Sequence, residues 1–156
     1  MKRGSDMTRI IGLAAPYNKR NAYEETFLPG IFKDFLARKE PIPMLYKHYG
    51  LPVGHWTGMW EGSDGLWVDG LVDKQRLEAR IRAGKLDGLS VSFKAPSFEL
   101  TRFGRAEKEW GALAFLIDPD TLPLPPQDFD RADLTEISLT PNPAFKESRF
   151  HWEDVK

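Results

Sequence analysis

The stretch Lys85–Phe93, KLDGLSVSF, decides how the chain is read. Leu89, Val91 and Phe93 alternate with Ser90 and Ser92, the period-2 pattern of a strand with one covered face. A second stretch, Leu134–Thr140 (LTEISLT), alternates Ile137 and Leu139 with Glu136 and Ser138. If the two strands are neighbours, Ser90 and Glu136 share the face turned away from the apolar set. A serine with an acid nearby raises the question of a nucleophile, which needs a base, most often an oriented imidazole.

Working outward, Thr8–Tyr17 reads as a first strand, and the turn-rich residues after it become extended. Gly30–Glu40 carries Ile31, Phe32, Phe35 and Leu36 at helical spacing. Pro41 and Pro43 bar helix, so IPMLYKH, residues 42–48, reads as strand. Residues 51–72 read as a hairpin turning at GSDG. Asp73 suits the N-cap of a helix with Leu77 and Ile81 on one face, and Gly84 suits its stop. Strands are expected at Gly88–Leu100 and around Trp110–Ile117. A proline-rich loop is expected at 118–130, and a last strand at Ala132–Thr140. Many strands and two short helices predict a β-rich α+β domain, a barrel or strongly bent antiparallel sheet with a few flanking helices.

The 156 residues suffice for one domain with a core, read here as 8–150, with 1–7 a leader or non-native start and 151–156 a frayed tail. Net charge is −1, which argues against a nucleic-acid footprint or a polybasic membrane surface. The longest apolar runs fall well short of the roughly 18 residues of a membrane span. No apolar segment follows the basic start, as a secretory signal would require. The absence of cysteine excludes disulfides, a thiol nucleophile and thiolate zinc sites in this sequence. There is no H-E-x-x-H, no G-x-S-x-G and no P-loop, so neither a metal nor a cofactor is expected.

An imidazole base would come from one of three histidines. His48 closes the IPMLYKH strand, His55 lies in the next strand, and His151 lies in the tail. The five tryptophans lack a basic groove beside them, so they read as core and interface rather than as stacking platforms.

Five motifs in order, IIGLAAPYN…YEETFLPGIF, IPMLYKHYGLPVGHW, DGLWVDGLVD, GKLDGLSVSF and LTEISLTPNPAF, resemble the prohead (capsid maturation) serine proteases of tailed phages. The resemblance runs from about Ile10 to about Phe145 and implies an assemblin-like β-barrel. It implies a serine endopeptidase with Ser90 as nucleophile, His48 as general base and Glu136 as the orienting acid; His55 is the rival for that third role. Scaffold protein and major capsid protein would be the substrates, and the chain itself a further one. The site of action would be the assembling prohead in the host cytoplasm, and a homodimer is expected by analogy. One departure stands out: the family's usual GLSIGF reads GLSVSF, with Ser92 in place of glycine. The oxyanion hole is open between backbone N–H groups and a water held by Arg102 or Arg105. Two other functions compete: a non-catalytic scaffold-like or structural capsid-assembly module of the same fold, and a small OB-type binding barrel.

Overall fold

A computed structural model describes residues 6–95 and 126–155. The expected strand at 110–117, the far end of the expected strand 88–100, and Arg102 and Arg105 lie outside the described residues. Nine strands and two helices follow one another along the described residues. They are β1 (Met7–Pro16), β2 (Glu25–Phe27), α1 (Lys33–Arg38), β3 (Pro43–Tyr46), β4 (Tyr49–Glu61) and β5 (Gly65–Asp73). After these come α2 (Lys74–Arg82), β6 (Gly88–Lys94), β7 (Gln127–Phe129), β8 (Asp133–Thr140) and β9 (Phe150–Asp154).

Seven strands form one sheet in the order β6-β8-β3-β4-β5-β1-β9, and β2 and β7 pair in a small parallel sheet. The large sheet curls until its two edges meet. Gly88 at the start of β6 bridges Arg149, the Leu89 N–H donates to the Ser148 carbonyl at 3.0 Å, and the Phe150 N–H donates to the Asp87 carbonyl at 2.8 Å. Chain 148–150 thus joins both edges, and the β-rich barrel-like fold stands. An edge strand covered in this way offers fewer free backbone groups to another chain.

Alternation set the faces correctly where one side is core. Ile10, Leu66, Val68, Val72, Leu89, Ile137 and Leu139 are buried. The helices cover one face through Phe35 of α1 and through Leu77 and Ile81 of α2. As expected, Asp73 caps α2 by accepting the Gln75 N–H at 3.0 Å. Gly84, at φ +72°, ends it in the left-handed conformation. An aromatic cluster ties the small sheet to β6. Phe27 meets Phe93, Phe129 and Phe145 edge-on at 5.1, 6.2 and 5.3 Å between ring centroids.

Three expectations need correction. The loop expected over 118–130 ends in a strand, because Gln127–Phe129 hydrogen-bonds alongside Glu25–Phe27 and buries Phe129. The tail is not frayed. Residues 150–154 pair with β1 from Gly12↔Phe150 to Thr8↔Asp154, tied by an Arg9–Glu153 ion pair of 2.6 Å. Finally, Glu136 and Ser138 do not face solvent: Ser138 is fully buried and Glu136 nearly so. The chain after β3 folds over that face of β8, with the His48 N–H donating to Ser138 Oγ.

Candidate active site

β8 lies between β3, parallel to it, and β6, antiparallel to it. In that register Ser90 stands opposite Ser138 and Ser92 opposite Glu136, with a bulge just after Ser92. The two stretches that opened the sequence reading are therefore direct neighbours. All four polar side chains project from one face.

β3 and β4 are joined at Lys47 and His48 alone, since Tyr46 pairs with Tyr49. Two-residue hairpin turns of this hand require positive φ at both central positions, which asparagine and glycine adopt most easily. Here Lys47 takes φ +52° and His48 φ +67°, with neither of those residue types present. The turn bends over β8. The Lys47 N–H donates to the Leu139 carbonyl at 3.0 Å and the His48 N–H to Ser138 Oγ at 3.0 Å. The imidazole is thereby set above Glu136, with His48 Nδ1 hydrogen-bonded to Glu136 Oε1.

The carboxylate of Glu136 has three partners. Besides His48, Ser92 Oγ donates to Oε1 at 2.6 Å and Ser138 Oγ donates to Oε2 at 2.6 Å. Burial opposes its ionisation and is the largest single influence. The hydrogen bonds from His48, Ser138 and Ser92 together outweigh it and hold the acid below its usual range. For His48 the hydrogen bond to Glu136 dominates over partial burial and raises the imidazole above its ordinary value. The two directions agree, as expected for a pair that favours imidazolium beside carboxylate.

His48, Ser90 and Ser92 line one cleft of about 520 Å³, walled by Tyr23, Phe27 and Phe145. That volume is in the ordinary range for a ligand site. Ser90 and His48 thus share the cleft, as the sequence predicts, but no hydrogen bond joins Ser90 Oγ to His48. It is Ser92, read from sequence as a bystander, whose Oγ lies 3.3 Å from Nδ1. His55 is elsewhere: it lines a groove beside α1 with Phe35 and Trp56. His151 is exposed on β9, paired with Ile11. Of the two rivals for the place beside His48, Glu136 occupies it. Among the described residues no cluster of three or more metal-ligating side chains occurs. The parts played by Ser92 and Ser138 were hidden because a strand serine has no sequence mark of its own; the only signal was Ser92 standing where glycine is usual.

Solved structures share this architecture. The KSHV protease in complex with a hexapeptide phosphonate inhibitor superposes with a TM-score of 0.56 at 18% identity, over 94% of this chain and 65% of that one. The varicella-zoster virus protease gives 0.51 at 16%, over 94% and 64%. At such identities the likeness is one of fold. The prohead protease of Enterobacteria phage HK97 is 31% identical over 98 residues, 58% of this chain, and the match spans 44% of that protein's length. Over residues 1–156 the sequence matches the model of the caudovirus prohead serine proteases, and the chain belongs to that family.

Proposed function

We propose that the chain is a serine endopeptidase that cleaves scaffold and capsid protein, and itself, during prohead maturation. Ser90 is the nucleophile, His48 the general base and Glu136 the residue that orients it. The observation that carries this reading is the His48–Glu136 pair at the wall of a cleft that also holds Ser90.

The chemistry follows from which ring nitrogen is free. Nδ1 is engaged by Glu136, so the neutral ring carries its proton there and keeps its lone pair on Nε2. Ser92 lies on the Nδ1 side and gives its own proton to Glu136, so it lacks an imidazole base. Ser90 and Glu136 are diagonal neighbours across β6 and β8, a relation that places residues roughly 7–8 Å apart. That gap is too wide for a direct bond and suits an imidazole bonded on both nitrogens. In the reaction Nε2 takes the Ser90 proton as Oγ attacks the peptide carbonyl, and then returns it to the leaving amine. Glu136 stabilises the imidazolium formed between those steps. The Ser90–His48 bond forms when substrate closes the cleft, since such bonds commonly tighten only in the bound complex.

The substrates and the homodimer come from the family resemblance, as does the prohead interior as the place of action. Ser90→Ala and Ser92→Ala, each co-expressed with scaffold and capsid protein, test the assignment. Processing abolished by Ser90→Ala and retained at a measurable rate in Ser92→Ala is the expected result. The reverse pattern makes Ser92 the nucleophile, and full processing by both removes each serine from that role. Sedimentation of the purified chain tests the dimer.

A further inference from the structure

We propose that Ser138 is the positioning residue of this site, its one hydroxyl locking both the backbone of the turn that carries His48 and the carboxylate that orients the ring. The inference rests on the proposed roles of His48 and Glu136.

The turn is intrinsically strained. Lys47 and His48 both hold left-handed backbone, which disfavours residues with a Cβ, and such conformations persist where surrounding structure over-determines them. Two groups of β8 provide that restraint. The Leu139 carbonyl takes the Lys47 N–H, and Ser138 Oγ takes the His48 N–H at 3.0 Å. The first is a backbone group and is indifferent to side-chain identity. The second is not. Ser138 Oγ accepts from His48 and passes its own proton to Glu136 Oε2 at 2.6 Å. Donor and acceptor capacity are both used in opposite directions, so backbone and acid are held in fixed relation to each other.

Ser138 is fully buried, so bulk water has no direct access to replace it. Removing Oγ leaves the part-buried His48 N–H and the Glu136 Oε2 each short of a partner, and polar groups so orphaned drive rearrangement. Ser92 makes the instructive contrast. It binds the same carboxylate from the cleft side but does not hold the His48 backbone. Besides His48, the titratable groups lining the cleft are Tyr23, Glu25 and Lys47, with Glu136 bonded to the imidazole, and the substitutions at Ser138 and Ser92 leave all of them in place.

The test compares Ser138→Ala, Ser138→Thr and Ser92→Gly in the full chain. Ser138→Ala is expected to lower kcat by about 10-fold to 100-fold with KM little changed, as misplacement of a catalytic group does. It should also move the acid limb of the pH profile and speed hydrogen exchange of the His48 amide. Ser138→Thr, which keeps the hydroxyl, should restore much of kcat. Ser92→Gly should alter the pH limb while leaving the His48 amide protected. If Ser138→Ala does not fold, Ser138→Cys, close in size with a feeble donor and acceptor, carries the same readings. Parental kcat, pH limb and amide protection in either variant overturn the proposal. Lowered stability with kcat and pH limb unchanged also overturns it, because Ser138 would then be structural only. Amide exchange and the His48 imidazole titration, followed by NMR in a Ser90→Ala background, need no turnover. They decide on Ser138 even if Ser90 proves not to be the nucleophile.

Discussion

At the scale of single residues, the His48–Glu136 pair makes a prediction with a definite sign. The base works as neutral imidazole, and Glu136 raises His48 above the ordinary value of 6.5. Activity should therefore rise with pH through a midpoint above that value. Glu136→Gln removes the charge; the midpoint should fall and kcat should drop by up to ~10⁴-fold, the loss seen when an orienting acid becomes an amide. A pH–rate profile of both proteins checks this, and an unmoved midpoint would remove Glu136 from the pair.

The same shifts act on stability, in two directions. For His48, raised in the folded state, the stabilisation is complete below about 6.5 and is lost as pH climbs through the folded value. For Glu136, lowered in the folded state, it is complete above about 4.5 and is lost as pH falls through the folded value. The pair should contribute most between those two limits. Urea unfolding across pH should show both slopes in the parent and neither in Glu136→Gln.

At the scale of elements, the tight β3–β4 turn is where strain is concentrated. Lys47 also places its ammonium 5.2 Å from the Tyr46 ring centroid. Lys47→Val adds β-branching at positive φ and deletes that contact, two effects of the same sign. Together they should destabilise by about 1–2 kcal/mol, read as a shift in urea midpoint. Helix α2 offers a cleaner case. Asp73→Ala deletes an observed cap and should lower stability by about 1 kcal/mol, with the cleft left intact. A fall several times larger would mean that Asp73 supports more than the helix end.

At the scale of the whole molecule, closure of the sheet depends on close backbone approach. A Cβ on Gly12 would lie 2.5 Å from the Arg149 carbonyl and 2.6 Å from Phe150 Cβ. No side-chain rotation relieves a clash with backbone. Gly12→Ala should therefore cost about 1–3 kcal/mol, as overpacking does, and should do so by prising β9 from β1. Faster hydrogen exchange at β1 and β9, with β3 and β4 unaffected, is the expected signature. Uniform loss of protection would show instead that closure and core form one cooperative unit.

Local pattern sufficed where one physical requirement dominates a stretch. Alternation marked β6 and β8 and put Leu89, Ile137 and Leu139 inside, because a strand with one apolar face has only one register that buries it. Asp73 and Gly84 marked the ends of α2 because caps answer to nearby backbone groups. The family motifs, read in order, named His48, Ser90 and Glu136 together. Other features depended on what lies across the fold. The tail reads as polar and terminal, yet it becomes β9 because β1 presents a free edge to it. Residues 127–129 look like the end of a proline-rich loop, yet they pair with β2 and bury Phe129. Glu136 and Ser138 were expected on an open face, since period-2 alternation says which side of a strand a residue takes and nothing about what covers that side. Only the left-handed Lys47–His48 turn, seated on Ser138 and Leu139, brought the imidazole over the acid. That geometry joins residues 90 positions apart in the chain, and a hydrogen bond at such separation leaves no periodic trace in sequence.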